Sequence, residues 1–236
     1  MDFRAKLLRT LRAVEPVLQE PGILVAGSEV PNLLEPGARS SLVVSQDVDI
    51  AVPVDKHAAV KERLARIRGL ARSEEEPSVL LPESADLIEV NFIGMDPHGE
   101  HAGETYVIED EVLPLLVFRH LSLLRPGEPV VVEGLIIPVP RPAGLLLEKL
   151  LTDRSGEKGE RDLLVALGLM LSCTESDWDE MAALYRELPG EERYAVRSGL
   201  SMLSLLEARP QMPDPGPHRA LVARLMTRLE GVERFL

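Results

Sequence analysis

The sequence predicts an α/β protein in which a mixed sheet is followed by a helical C-terminal domain. Short stretches rich in valine and isoleucine alternate with helical spacings over roughly the first 140 residues. Beyond Pro142, each apolar stretch has the spacing of an amphipathic helix, with a glycine or proline nearby. The change of character at the segment RPAG therefore predicts two domains, 1–140 and 141–236.

The first elements of the front domain follow from apolar spacing. Apolar residues at helical intervals predict a helix over 3–18. The run ILVA then predicts a short buried strand that ends in the turn Gly27-Ser28. LVVSQDVDIAVPV, with β-branched residues around two aspartates, predicts the clearest strand of the chain.

Three further elements complete the front domain. A helix is expected from Asp55, as its N-cap, to about Ala71. DLIEVNFIGM predicts a second strong strand. GEPVVVEGLIIPVP predicts a β-hairpin that turns at Glu133-Gly134.

Composition restricts the functional classes. The chain has 236 residues, of which 45% are hydrophobic and 28% charged, a balance typical of a globular protein with a substantial core. Aromatic residues, at 3%, offer few platforms for base stacking, and the net charge of −13 disfavours broad phosphate contacts. We therefore expect no general DNA binding. The acidity suits a Mg²⁺ site or a cationic substrate, although solubility is its simplest explanation.

Cysteine content and apolar stretches bear on the compartment. The single cysteine, Cys173, excludes an internal disulfide and lies in an apolar run, as a buried small side chain would. The N-terminal segment lacks the apolar region of a signal peptide. No stretch approaches the ~20 apolar residues of a membrane span. The expected protein is cytoplasmic and has no membrane partner.

Asp47 and Asp49 form the main candidate site. Residues two apart on a strand point to the same face, so the two carboxylates project side by side while Val48 and Ile50 face the core. Converging carboxylates repel each other unless a cation lies between them, and Mg²⁺ prefers such hard oxygen ligands. A glycine at 27 lets the backbone approach a ligand, and its turn can hold phosphate oxygens.

Gly27-Ser28 followed by Asp-x-Asp within a strand resembles the signature of the polymerase-β-like nucleotidyltransferase superfamily. The resemblance implies a nucleotidyltransferase core in which Gly27 and Ser28 cradle a nucleoside triphosphate such as ATP. It also implies that Asp47 and Asp49 bind Mg²⁺. A third carboxylate on a neighbouring strand is expected to activate the attacking hydroxyl of an acceptor.

Two residues compete for the role of third carboxylate, and both lie in the segment DLIEVNFI. Glu89 shares the open face of the predicted strand with Asn91, if Ile88 and Val90 are buried. Asp86 lies on the opposite face, near the strand's N-terminal edge. The flanking apolar residues favour Glu89 as the base and metal ligand, and Asp86 stays the alternative.

The segment RPAGLLLEKLLTDRSGEKGERDLLVALGLM resembles part of the abortive-infection (AbiE-type) nucleotidyltransferases, the toxins of toxin–antitoxin systems. This second resemblance implies that Lys149 contacts the nucleotide phosphates and that Asp162 orients Lys149 or the metal site. It also implies a tRNA or protein acceptor and an antitoxin as partner. The turn between these two residues contains the basic residues Arg154, Lys158 and Arg161.

Other interpretations stay open. An antibiotic-type adenylyltransferase would transfer the nucleotide to a small cationic substrate, and a degenerate relative would only bind nucleotide or a partner protein. Each residue also has a plain structural role: Asp47 and Asp49 as solvated positions on an edge strand, Lys149 as a surface lysine, and Asp162 as a charge that favours a helix N-terminus.

Overall fold

A computed structural model describes residues 3–34, 47–98, 104–151, 156–207 and 216–233. The chain divides into two compact units. The first comprises Met1–Val30 and Val44–Pro140, and the second comprises Pro31–Val43 and Arg141–Leu236. The first unit contains the sheet and the second is built from helices, so the α/β class, with a mixed sheet and a helical C-terminal region, is confirmed.

The main sheet lies in the first unit and contains seven strands among the described residues. These strands are β1 (Leu24–Val25), β2 (Asp47–Pro53), β3 (Leu70–Arg72), β4 (Val79–Pro82), β5 (Glu89–Met95), β6 (Tyr106–Ile108) and β7 (Leu115–Val117). Their order is β1-β2-β5-β4-β3, and β7 pairs with both β5 and β6. The sheet is mixed because β2 pairs with β5 in parallel, whereas β1 pairs with β2 and β4 with β5 in antiparallel orientation.

Strands β2 and β5 form the centre of the sheet, as their sequence pattern predicts. On β2, Val48 and Ile50 are fully buried, and on β5, Val90 and Phe92 are buried opposite them in register. In the first half of each strand the alternate residues, among them Asp47, Asp49 and Asn91, are only half-buried, because side chains alternate between the two faces of a strand. The aspartates of β2 therefore lie on the less covered face.

The first helix of the chain is divided in two. Helices α1 (Phe3–Ala13) and α2 (Glu15–Leu18) together cover the predicted helix 3–18. Pro16 lies in the first turn of α2, where its missing N–H deprives the helix of no hydrogen bond. A short helix α3 (Val30–Leu34) follows β1, and residues 42–46 of the predicted strand LVVSQDVDIAVPV lie outside the described part.

The predicted helix from Asp55 to Ala71 is wrong at both ends. Val54–Lys56 form a 3₁₀ turn, and α4 extends only over His57–Leu64. Asp55 does not cap the helix, because its carboxylate pairs with Lys56 at 2.8 Å. The last residues of the predicted helix belong to β3, where pairing with β4 satisfies their backbone groups and overrides the local apolar spacing.

The predicted hairpin is present as β8 (Val130–Val132) and β9 (Leu135–Ile137), which form a separate two-stranded sheet. Its turn residues, Glu133 and Gly134, have φ angles of 50° and 79°. Two consecutive positive φ angles are typical of the tight turn that matches the twist of paired strands. The turn is thus placed where the sequence predicts it.

The second unit is helical. Helix α7 begins with a capping box, in which Thr174 and Asp177 each bond the other's backbone N–H. Helix α5 (Pro142–Leu151) is buried over most of its length, and leucines occupy half of its positions. None of the helices in the described ranges is both long enough and apolar enough to span a membrane. The helices are α5 (Pro142–Leu151), α6 (Gly156–Ser172), α7 (Glu175–Glu187), α8 (Gly190–Leu205) and α9 (Gly216–Glu233).

Candidate metal and nucleotide site

Asp47 and Asp49 project from the same face of β2, and the side chain of Asn91 on β5 connects them. The Asn91 amide nitrogen donates a hydrogen bond to Asp47 Oδ2 at 3.1 Å and another to Asp49 Oδ1 at 3.3 Å. The parallel register places Asn91 directly beside Asp49. Two carboxylates are therefore held together by one amide group.

The Asn91 amide changes one expectation from the sequence, namely that Asp47 and Asp49 need a cation between them. A cation is one way of holding two converging carboxylates together, but hydrogen-bond donors aimed at both also favour their charged forms. Asn91 supplies these donors from the neighbouring strand. The pairing of Asp47 with Asp49 is therefore not by itself proof of a bound ion.

Glu89 lies on the same face as the aspartate pair, and Asp86 does not. Glu89 is the first residue of β5 and is paired in register with Asp47. Asp86 lies before the strand, is about half exposed, and forms an ion pair with Arg9 at 3.0 Å. Among the two candidates for the third carboxylate, the geometry therefore favours Glu89.

The surroundings of Glu89 raise its pKa above the ordinary value. Burial is the largest cause, and the nearby carboxylates of Asp47 and Glu76 add to it. All three effects penalise the charged form. A carboxylate with a raised pKa is a stronger base, which is the property that removal of a proton from an acceptor hydroxyl requires.

Gly27 packs directly against two carboxylates. A side-chain carbon placed on Gly27 would lie 2.6 Å from Glu29 Oε2 and 2.8 Å from Asp49 Oδ2, and it would also collide with Glu29 Oε1. Only glycine leaves room for such an approach. The following Ser28 is buried. The turn is joined to β2 by the backbone bond from Ala26 N–H to the Asp49 carbonyl oxygen, at 2.9 Å.

Glu29 also belongs to this site, although no sequence motif singles it out. Its side chain is fully buried, and Oε1 accepts a long hydrogen bond from the Asp49 backbone N–H at 3.4 Å. Burial is the main cause that raises its pKa well above the ordinary value, and the charge of Asp49 comes next. A glutamate after Gly-Ser resembles an exposed turn residue, and only its place between the apolar runs ILVA and VPNLL pointed to burial.

We name Glu29, Asp47, Asp49 and Asn91 the carboxylate cluster. Its donor set suits Mg²⁺ because carboxylate and amide oxygens are hard ligands. Two of its buried oxygens, Glu29 Oε2 and Asn91 Oδ1, accept no hydrogen bond from the described residues. Across the described ranges, however, no three histidine, cysteine, aspartate or glutamate side chains are arranged as a finished metal site. Side-chain rearrangement, including a turn of the Asn91 amide, is needed for an ion to bind.

Lys149 and Asp162 both belong to the second unit, where they form an ion pair. The Lys149 ammonium lies 3.7 Å from Asp162 Oδ1 and 3.0 Å from Glu148 Oε2. All three side chains are largely buried. Both Asp162 and the nearer Glu148 therefore contact Lys149, and neither Lys149 nor Asp162 is a freely exposed surface charge. Arg154 and the side chains of Lys158 and Arg161, on which the predicted basic turn depends, lie outside the described residues.

Comparisons of the chain with protein-family models, with curated proteins and with solved structures find no match. The expected resemblance to nucleotidyltransferases therefore depends on the sequence motifs alone.

Proposed function

We propose that this chain is a Mg²⁺-dependent nucleotidyltransferase that moves a nucleoside monophosphate from a nucleoside triphosphate to an acceptor hydroxyl. One observation supports the proposal above all others. Asp47 and Asp49 project together from one face of β2, and the carboxylate of Asp49 lies against the Gly27 turn. This combination gives hard oxygen ligands for an ion beside the turn that the resemblance implies for phosphate binding.

In the proposed complex, Asp47 and Asp49 would hold the Mg²⁺, with Glu89 nearby as the base or a further ligand. Gly27 and Ser28 would contact the triphosphate. The bound metal would supply positive charge that stabilises the phosphate oxygens as they become more negative. Lys149, oriented by Asp162, is proposed to neutralise phosphate charge.

The proposed reaction is a displacement at the α-phosphorus. The acceptor oxygen forms a bond to this phosphorus while the bond from the α-phosphorus to the oxygen of the β-phosphate breaks, so pyrophosphate leaves. The acceptor's proton passes to Glu89. The raised pKa of Glu89 supports this role because a stronger base holds the proton better as the new bond forms.

The resemblance of the Lys149 segment to toxin enzymes favours a tRNA or protein acceptor, and an antitoxin as partner. The net charge of −13 favours a small cationic acceptor instead, as in antibiotic adenylyltransferases. These two acceptor classes are separated by experiment. The protein is incubated with α-labelled triphosphates and either total tRNA or a polycationic aminoglycoside. If neither acceptor receives label, both the tRNA acceptor and the aminoglycoside acceptor are excluded.

A second candidate function is nucleotide binding without transfer. Asn91 favours it, because this neutral residue lies in register beside Asp49, at a position where a carboxylate would be closest to the pair. Under this alternative the protein binds nucleotide in the presence of Mg²⁺, but no acceptor receives label. Glu89→Gln distinguishes the two functions. If the protein is an enzyme, the wild type transfers label to an acceptor and Glu89→Gln does not. If the protein only binds nucleotide, neither of them transfers label.

The decisive experiment is calorimetric titration with the four nucleoside triphosphates, with and without Mg²⁺. We expect Asp49→Asn to weaken Mg²⁺-dependent binding by about tenfold or more, equivalent to ~1.4 kcal/mol. Asp86→Asn is the matched control, since it removes an exposed aspartate that pairs with Arg9. Absence of binding by the wild-type protein, or equal binding by Asp49→Asn, would falsify the proposal.

A further inference from the structure

Glu29 is a buried acid that the proposed reaction does not use. Its side chain has no exposed surface, although burial of a carboxylate is costly unless partners compensate. No lysine, arginine or histidine in the described ranges forms an ion pair with it. Burial, and next the charge of Asp49, raise the pKa of Glu29 by more than the hydrogen bonds from its own backbone N–H and from the Asp49 N–H lower it. The protein therefore keeps a carboxyl group at a position where its charged form is disfavoured.

The second oxygen of Glu29 points into the carboxylate cluster. Oε2 accepts no hydrogen bond from the described residues. It lies 2.6 Å from the place where a side chain of Gly27 would begin, and Asp49 Oδ2 lies 2.8 Å from the same place. Oxygens of two different carboxylates thus converge in front of one glycine. Such convergence is unfavourable between anions and favourable around a cation.

We propose that Glu29 is a direct ligand of a divalent cation that it shares with Asp49. The cation would stabilise the charged form of Glu29, which burial disfavours, and would be a partner for Oε2, which accepts no hydrogen bond from the described residues. This assignment rests on the proposed function, since it places an additional ligand at the same metal site. Asp47 and the oxygen of a turned Asn91 amide complete the protein's set of hard oxygen ligands.

Glu29 acts here as a ligand and not as a structural residue, and the two roles predict opposite effects of substitution. Glu29→Gln keeps the shape of the side chain and removes its charge. If Glu29 is a ligand, the variant loses cation affinity, and its melting temperature without divalent ions stays the same or rises. If Glu29 is only structural, the variant loses stability and keeps its cation affinity.

The test measures Mn²⁺ binding by the full-length chain, from the electron paramagnetic resonance signal of free Mn²⁺. We expect Glu29→Gln to weaken binding by about tenfold or more, as loss of a metal-site interaction commonly does. Asp110→Asn is the matched control. Asp110 is also largely buried, but it pairs with Lys61 away from the cluster, so its variant loses stability and retains Mn²⁺ affinity.

The outcomes separate this inference from the proposed function. Wild-type affinity in Glu29→Gln, together with lost affinity in Asp49→Asn, overturns the role of Glu29 and leaves the proposed function intact. Absence of Mn²⁺ binding by the wild type, with and without ATP, overturns both. If Glu29→Gln does not fold, the ligand role is also overturned, because a neutral side chain of the same shape fails only where the carboxylate itself stabilises the fold.

Discussion

Single contacts decide what the carboxylate cluster can do. Asn91 donates hydrogen bonds to both Asp47 and Asp49, so it stabilises their negative charges. Its amide group also occupies one side of the two carboxylates, where an ion could otherwise bind. An ion entering the cluster has to displace these bonds or replace them with a turned amide. In the proposed complex, the affinity for Mg²⁺ would therefore depend on competition between the Asn91 amide and the ion, in addition to the number of carboxylates.

Gly27 has no room for a side chain, since the carboxylates of Glu29 and Asp49 lie against its backbone. A methyl group on Gly27 would overlap both Glu29 oxygens and approach Asp49 Oδ2. We expect Gly27→Ala to lower the free energy of unfolding by about 1–3 kcal/mol, the usual range for overpacking a buried site. Mg²⁺-dependent nucleotide binding should weaken as well, because the carboxylates have to move apart.

The matched control for this prediction is Gly190→Ala. A side-chain carbon on Gly190, at the start of α8, would meet nothing within 4 Å. This variant should be neutral or more stable by up to ~1 kcal/mol. Urea denaturation measures both variants. Equal stability of Gly27→Ala and Gly190→Ala would contradict the close approach of the carboxylates to Gly27.

Secondary structure elements show which parts of the fold the sequence could predict. Strands β2 and β5 follow from alternating burial, and the β8–β9 hairpin follows from a turn that needs positive φ angles. The end of the predicted helix after Asp55 was wrong, since Leu70 and its neighbours fit a helical spacing but pair with β4. Local spacing does not reveal pairing with a distant strand.

The same limit applies to the site. The common face of Asp47 and Asp49 follows from the period of a strand, and the position of Glu89 follows from its apolar neighbours. The bridge from Asn91 depends on the register between two strands far apart in sequence. Burial of Glu29 depends on how its turn packs against β2. Neither property is encoded in a local pattern.

A loop attached to α4 gives a prediction of pH dependence. Asp110 accepts hydrogen bonds from the Lys61 ammonium at 2.5 Å and from the backbone N–H groups of Val112 and Leu113 at 2.8 and 2.9 Å. The bond from Lys61 is the largest cause that lowers the pKa of Asp110 below its ordinary value. The folded state therefore favours the charged carboxylate.

The sign of the effect follows from this lowered pKa. The contribution of Asp110 to stability is fully present well above the ordinary aspartate pKa of 3.8 and is lost as the pH falls below that value towards the lower folded pKa. Asp110→Asn should thus be less stable than the wild type at pH 7, and the difference should shrink at pH 3 and below. Urea denaturation at both pH values measures it.

Asp86→Asn is the control for the pH experiment. Asp86 pairs with Arg9 at the surface, where both side chains are about half exposed, so its removal should change stability by less than ~1 kcal/mol. A difference between Asp110→Asn and the wild type that stays constant from pH 7 to pH 3 would show that the Asp110 charge does not stabilise the loop.

The net charge of the whole molecule makes its stability depend on ionic strength, whether or not the carboxylate cluster binds an ion. A net charge of −13 makes the folded chain repel itself, and any salt reduces this repulsion by screening. Both NaCl and MgCl₂ should therefore raise the melting temperature through ionic strength alone. A bound Mg²⁺ ion has to be recognised as stabilisation beyond this common effect.

Comparison of MgCl₂ with NaCl separates stabilisation by a bound Mg²⁺ ion from stabilisation by screening. At equal ionic strength, MgCl₂ should stabilise the wild-type protein more than NaCl does, by about 2.7 kcal/mol when free Mg²⁺ is a hundredfold above its dissociation constant. Asp49→Asn should lose this excess and keep the response to NaCl, because one charge in the cluster changes the site far more than it changes a net charge of −13. Scanning calorimetry in the two salts measures the excess directly. If the wild type and Asp49→Asn respond alike to MgCl₂, divalent ions act on this protein only by screening, and the carboxylate cluster binds no ion that depends on Asp49.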